Sequence, residues 1–85
     1  MVMEYVNRCL AALPIAVKAL DRSDYGHMRI FGHRLRGTGG AYGIPALTEI
    51  GFAIENAAFK RDTSELRLQV AALEACLSQI EILSD

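Results

Sequence analysis

Residues 29–43 read R-I-F-G-H-R-L-R-G-T-G-G-A-Y-G, and the fold is decided by how this stretch divides between two faces of an α-helix. With each residue turned ~100° from the last, apolar residues recur at the spacing of a side that faces a protein core. The predicted core-facing stripe consists of Met28, Phe31, Leu35, Thr38 and Tyr42. His33 lies on the opposite face, so we expect its imidazole to point into solvent.

The residues predicted beside His33 are either cationic or lack a side chain. They are Gly26, Arg29, Arg36, Gly37 and Gly40. Glycine inside a helix costs about 1 kcal/mol relative to alanine, so several glycines together require a reason. At Gly37, one turn beyond His33, a side chain would occupy the space that a group on the imidazole needs, and Gly40 extends this open space. The pattern predicts an uncrowded, electropositive imidazole that is suited to a reaction with an anion.

The length and charge of the chain exclude several classes of protein. Eighty-five residues are enough for one small domain. A formal net charge of −1 argues against nucleic-acid binding, which relies on many phosphate contacts by Lys and Arg. No acidic residue lies between Asp24 and Glu49, however, so this segment carries a local positive field that would attract an anion or an acidic partner. The alternative is an ordinary solvated helix face.

The cysteines and the apolar runs indicate a reducing compartment and no membrane insertion. Cys9 and Cys76 are far apart in apolar helical runs, without metal or redox spacing, and are expected to be buried free thiols of a cytoplasmic protein. The longest apolar run, residues 9–17, has nine residues and contains Pro14, whereas a membrane span needs ~20. A signal peptide begins with a basic segment, whereas Glu4 is acidic, so a signal peptide is not expected here.

The start of the chain predicts two helices. Apolar residues at alternating three- and four-residue spacing indicate an amphipathic helix over residues 1–20, kinked or broken near Pro14. A polar turn follows, in which Ser23 or Asp24 would cap the next helix. That helix is expected to end near Tyr42, where Gly43 can adopt a left-handed conformation.

The rest of the chain predicts two more helices and no strand. Pro45 suits the first turn of the third helix, and residues 62–65 have the spacing of a capped start for the fourth. Phe52 and Phe59 lie on a different side of the third helix from its core-facing apolar residues. We expect these two side chains to widen the core; the alternative is that they form a docking patch for a partner. The core stripes of these helices are Leu47, Ile50, Ile54 and Ala57 or Ala58, then Leu66, Val70, Leu73, Leu77 and Ile80. The predicted fold is all-α, an antiparallel four-helix bundle.

Several of these residues together resemble a known family. The segment H-R-L-R-G at residues 33–37, then Tyr42-Gly43, Leu47 and I-E-N-A-A at residues 54–58, is similar to the pattern of the histidine-containing phosphotransfer (HPt) domain. That pattern is H-x-L-K-G, a run of small residues ending in Gly, a Leu, and an acidic L-E-x-A-A segment. The close match covers residues 29–62, and it departs from the pattern at Arg36 and Ile54, where Lys and Leu are usual.

The resemblance implies a single HPt-like domain over residues 1–85, acting as a phosphorelay intermediate of two-component signalling. His33 would accept a phosphoryl group from a sensor histidine kinase or from the aspartate of a response-regulator receiver domain, and would pass it to another receiver. The chain would be a monomeric carrier and not an enzyme; it would bind no cofactor or metal, since the receiver brings the Mg²⁺. The other implied roles are phosphate stabilisation by Arg36, steric access at Gly37 and Gly40, and partner docking by Arg29, Ile30 and Arg34.

The chemistry of His33 agrees with this implication, and rivals remain open. An unperturbed imidazole titrates near pH 6.5, so at physiological pH it is largely neutral and carries a nucleophilic lone pair. The alternatives are a phosphate-independent adaptor bundle that binds receiver domains, or a histidine-kinase dimerisation and phosphoacceptor domain. The latter would carry an acidic residue where Arg34 stands. His27 is six residues from His33, which is the wrong spacing for a metal site on one helix.

Overall fold

The computed structural model describes residues 2–83, and every regular element within them is an α-helix. The helices are α1 (Val2–Asp21), α2 (Tyr25–Ala41), α3 (Pro45–Phe59) and α4 (Thr63–Leu83). No strand occurs in these residues, so the all-α prediction is confirmed for them. The predicted domain also included residues 1, 84 and 85, which lie outside the described range. None of the four helices is both long enough and apolar enough to cross a membrane.

The helix ends follow the local sequence signals. The side chain of Asp24 accepts a hydrogen bond of 3.0 Å from the backbone N–H of His27, which caps α2. Gly43 has a φ of +70°, the left-handed conformation predicted after α2, and α3 begins at Pro45. These three predictions are confirmed. Pro14 lies inside α1 and does not divide it, while the predicted kink stays a prediction.

The helices form a bundle in which each one packs on the next and α4 packs on α1. Tyr5, near the start of α1, stacks on Tyr42, just after α2, with ring centroids 4.3 Å apart. Asp21, at the end of α1, accepts a 3.2 Å hydrogen bond from Arg67, near the start of α4. The start of α1 thus lies beside the end of α2, and the end of α1 lies beside the start of α4. Helix α1 therefore runs antiparallel to both α2 and α4.

One hydrophobic cluster joins the four helices. Its fully buried large side chains are Val6, Met28, Leu47, Ile54, Leu66, Leu73 and Leu77. The expectation that Phe52 and Phe59 widen this core is wrong, because they are 56% and 77% exposed. Each follows a buried residue of α3, Gly51 or Ala58, and the ~100° turn per residue carries its ring off the core-facing side.

Glycines form half of the buried line of α2. The buried residues of this helix are Met28, Gly32, Leu35 and Gly39, whereas Phe31 and Tyr42 are half-buried. Thr38 and Tyr42 instead contact α1: the hydroxyl groups of Thr38 and Tyr5 share a 2.6 Å hydrogen bond, and burial raises the pKa of Tyr5 to about 12. The predicted stripe is therefore fully buried at Met28 and Leu35, packs at the edge of the core at Phe31 and Tyr42, and is wrong at Thr38, which is exposed.

The buried glycines allow α2 and α3 to approach to backbone contact. A Cβ atom added at Gly39 would lie 2.9 Å from the Cβ of Leu47, and one added at Gly32 would lie 2.8 Å from the carbonyl oxygen of Gly51. A Cβ at Gly51 would in turn collide with the backbone of Arg36. Real Cβ atoms do not approach other atoms this closely, so the spacing of the two helices requires the absence of side chains at these positions.

Replacing a contact glycine is expected to destabilise the fold, because a methyl group must push two backbones apart. Gly51→Ala should lower the free energy of unfolding by ~1–3 kcal/mol. The matched control is Gly37→Ala, where an added Cβ meets no atom within 4 Å. This control should raise the free energy of unfolding by up to ~1 kcal/mol through helix propensity alone. Urea unfolding measures both, and equal stabilisation by the two substitutions would contradict the close contact.

Candidate functional site

His33 lies on the outer face of α2, with 63% of its side chain exposed. The prediction that the imidazole points into solvent is thus confirmed. It lies in a groove of about 290 Å³ that is open to the surface and is formed by α2 and α3. The groove is lined by Arg29, Ile30, His33, Arg34 and Glu55. The structure therefore brings the three residues predicted to dock a partner next to the predicted phosphoacceptor.

Glu55, on α3, holds one nitrogen of the His33 ring. The Nδ1 atom of His33 lies 3.0 Å from Oε2 of Glu55. An ionised carboxylate only accepts hydrogen bonds, so Nδ1 is the donor and carries the proton. In the neutral ring the lone pair is then on Nε2, which makes no hydrogen bond within residues 2–83. The contact with Glu55 thus selects the tautomer whose free nucleophilic nitrogen faces solvent.

Arg36, one turn after His33, is the third member of this group. Its Nη1 atom lies 3.2 Å from Oε1 of Glu55, and its guanidinium group lies over the ring of Phe52, 5.7 Å from the ring centre. Oε1 is buried and accepts no hydrogen bond of acceptable geometry, so this contact is an ion pair only. Nη2 is 3.5 Å from Nδ1 of His33. Because Nδ1 donates to Glu55 and a guanidinium nitrogen cannot accept, Arg36 lies near the ring without a hydrogen bond to it.

The expectation that only cationic residues and glycines surround His33 is wrong. The charge closest to the ring is the carboxylate of Glu55, and this carboxylate also neutralises Arg36. With a neutral imidazole, these three side chains carry no net charge. The positive field comes instead from Arg29 and Arg34, which form no ion pair within the described part of the chain.

The glycines of α2 divide into two groups with different surroundings. A Cβ at Gly37 would meet nothing within 4 Å, and one at Gly40 would meet only the Thr48 hydroxyl at 3.7 Å. Both positions are open, in keeping with the predicted access to His33. Gly32 and Gly39 are instead buried against α3. Sequence reasoning missed these two, although their spacing of seven, with Gly51 on the next helix, is a signal of close helix packing.

The other reactive side chains lie apart from this group. His27 is in the first turn of α2 and is half-buried, and no hydrogen bond or ion pair joins its side chain to His33. Cys9 and Cys76 are free and half-buried, and burial raises the pKa of both thiols. Within residues 2–83, no three His, Cys, Asp or Glu side chains lie together in an arrangement that could hold a metal.

The arrangement can present a nucleophile. His33 has a nitrogen without a hydrogen bond, a proton held on the opposite nitrogen, and an open groove beside it. Comparison of the chain with protein-family models, with curated proteins and with solved structures finds no match.

The tautomer assignment can be tested by ¹⁵N NMR of the imidazole. At a pH where His33 is neutral, we expect the wild-type ring to be protonated at Nδ1, because Glu55 accepts that proton's hydrogen bond. Glu55→Ala should remove this preference and shift both ¹⁵N resonances of His33. The resonances of His27 should not change, since the hydrogen-bond and ion-pair partners of Glu55 are His33 and Arg36. A wild-type ring protonated at Nε2 would contradict the assignment.

Proposed function

We propose that this chain is an HPt domain that accepts a phosphoryl group on Nε2 of His33 and passes it to the aspartate of a receiver domain. The observation that supports this most directly is the pairing of His33 with Glu55: Nδ1 is engaged at 3.0 Å while the ring remains 63% exposed. A histidine without a function needs no partner that fixes its tautomer. A histidine that attacks phosphorus needs one unprotonated nitrogen directed at the donor.

The proposed transfer exchanges one bond to phosphorus for another. The Nε2 lone pair attacks the phosphorus of an aspartyl phosphate, the N–P bond forms, and the bond from phosphorus to the aspartate oxygen breaks. The carboxylate leaves with that electron pair. The ring then carries the Nδ1 proton as well as the phosphoryl group and becomes cationic, and the Glu55 carboxylate at 3.0 Å stabilises that charge. Transfer to the next aspartate reverses these steps.

The other residues of the groove would assist without further covalent chemistry. Phosphoryl transfer depends mainly on placement and on positive charge around the equatorial oxygens. Arg36, already 3.5 Å from the ring, would contribute a guanidinium group to the phosphoryl oxygens. The open positions at Gly37 and Gly40 leave room for those oxygens and for the partner's backbone. Arg29, Ile30 and Arg34 would form part of the docking rim.

The missing parts of the active site are assigned to the partner. On this proposal the receiver domain brings the Mg²⁺ and the acidic residues, and the HPt chain acts as a cytoplasmic, monomeric carrier without catalytic machinery of its own. The bundle, with its phosphoacceptor on the second helix and Glu55 on the third, would be the HPt arrangement. A phosphate-independent adaptor is the rival. It would bind receivers with His33 unlabelled, so a transfer assay separates the two functions.

His33→Gln is expected to abolish phosphorylation while leaving the fold intact, because the side chain is exposed and outside the core. The assay offers the chain to a panel of radiolabelled, aspartyl-phosphorylated receiver domains and, separately, to phosphoramidate, a small donor that needs no docking. Circular dichroism confirms helical content. His27→Gln is the matched control and should retain full labelling. Label retained by the His33 variant would move the acceptor to another residue.

Arg36→Ala should slow transfer about 10- to 100-fold, the range that corresponds to the loss of one charged hydrogen bond. Arg36→Lys keeps the positive charge and should restore part of the rate, although a single ammonium group cannot contact two oxygens as a guanidinium group does. Rapid-quench transfer kinetics from a phosphorylated receiver measure both variants. Wild-type rates in the alanine variant would show that Arg36 serves only its ion pair with Glu55.

A further inference from the structure

Phe52 and Phe59 are large aromatic side chains exposed on the outer side of α3, and the proposed chemistry does not use them. Together with Arg29, Arg36, Glu55 and Asn56 they line a second surface groove of about 260 Å³. We call Phe52 and Phe59 the α3 aromatic patch. This groove shares Glu55 and Arg29 with the groove that contains His33, so the patch directly adjoins the candidate site.

We infer that the α3 aromatic patch is the apolar part of the surface on which the phosphoryl-exchanging receiver domain docks. The inference rests on the proposed function, because that function requires one partner to cover His33. The partner should present an apolar side chain to Phe52 and Phe59, and acidic groups to Arg29 and Arg34. Both of these arginines border the grooves and lack an ion pair within residues 2–83.

Charge complementarity favours a receiver over other occupants. A receiver that carries a phosphorylatable aspartate and its Mg²⁺ ligands has an acidic face, which matches the cationic rim of these two grooves. Aromatic residues and arginine are also the residues most enriched in the energetic centres of protein interfaces. In the free chain the guanidinium group of Arg36 lies 5.7 Å from the centre of the Phe52 ring, so aromatic and cationic contacts already share one surface.

Docking on the patch would also affect the chemistry at His33. A partner side chain placed over Phe52 would exclude water from the adjoining ion pair between Arg36 and Glu55, which are 3.2 Å apart. Electrostatic interactions strengthen when water is excluded. The charges that support the phosphorylated ring would then act most strongly while the partner is bound.

The test compares two double variants of the full chain. In Phe52→Ala/Phe59→Ala the patch is removed. In the matched control, Leu68→Ala/Ile82→Ala, two exposed side chains are removed from α4, which contributes no residue to either groove. Isothermal titration calorimetry measures Kd for the receiver domains of the panel. The second readout is the rate of transfer from each phosphorylated receiver, and the third is labelling of His33 by phosphoramidate.

We expect the patch variant to bind the receiver at least ~10-fold more weakly, as for loss of an interface anchor, and to accept its phosphoryl group correspondingly slowly at low concentration. Labelling by phosphoramidate should be unchanged in Phe59→Ala, because that donor does not dock and the ring beneath Arg36 is that of Phe52. The α4 control should match wild type in every readout. If the double variant loses helical content, Phe59→Ala alone, at the most exposed ring of the patch, gives the same comparison.

Three results would overturn the inference. Unchanged Kd and transfer in the patch variant would exclude docking there and leave the function of His33 standing. A wild-type dimer in sedimentation that dissociates in the patch variant would assign the patch to a second copy of the chain. Failure of every receiver and of phosphoramidate to label wild-type His33 would remove the proposed function itself, and the docking inference with it.

Discussion

The backbone contact between α2 and α3 is the constraint on which the site depends. A Cβ at Gly32 would meet the backbone of Gly51 and the side chain of Ile54, so no residue larger than glycine fits between the helices there. His33 follows Gly32 directly, and Glu55 follows Ile54. The side chains of His33 and Glu55 are therefore each one residue beyond a contact that fixes the separation and rotation of the two helices. A wider spacing would break the 3.0 Å hydrogen bond between them.

Features that depend on one segment of the chain could be predicted from sequence. The cap at Asp24, the left-handed Gly43 and the start of α3 at Pro45 each follow from local backbone chemistry, and all are observed. The exposure of His33 also follows from the periodicity of its own helix. Periodicity indicates which side of a helix is apolar. In α2 the face that carries arginines and glycines is distinct from the apolar face, so the sequence predicts that it is exposed to solvent.

Features that depend on two helices could not be predicted in the same way. Periodicity within α2 favoured Phe31 over Gly32 as a core residue because a glycine contributes no apolar surface of its own. Its burial results from the close approach of α3. The contact of Glu55 with His33 crosses the same interface. The apolar character of Phe52 favours a place in the core, but no helix within residues 2–83 covers that side of α3, and the ring is 56% exposed.

The ion pair of Glu55 bears on how firmly a phosphoryl group would be held. Oε1 of Glu55 is buried and accepts no hydrogen bond, so Arg36 is its compensating charge. If Arg36 moves to the phosphoryl oxygens, as the proposed function requires, Oε1 loses its ion pair, and the Glu55 carboxylate keeps only its contact with the cationic ring through Oε2. Part of the energy gained at the phosphate is therefore lost at Glu55. Phosphorylated His33 is therefore less stable than it would be if Arg36 gained the phosphate contact without losing its ion pair. This lower stability would suit a carrier that must release the group to the next aspartate.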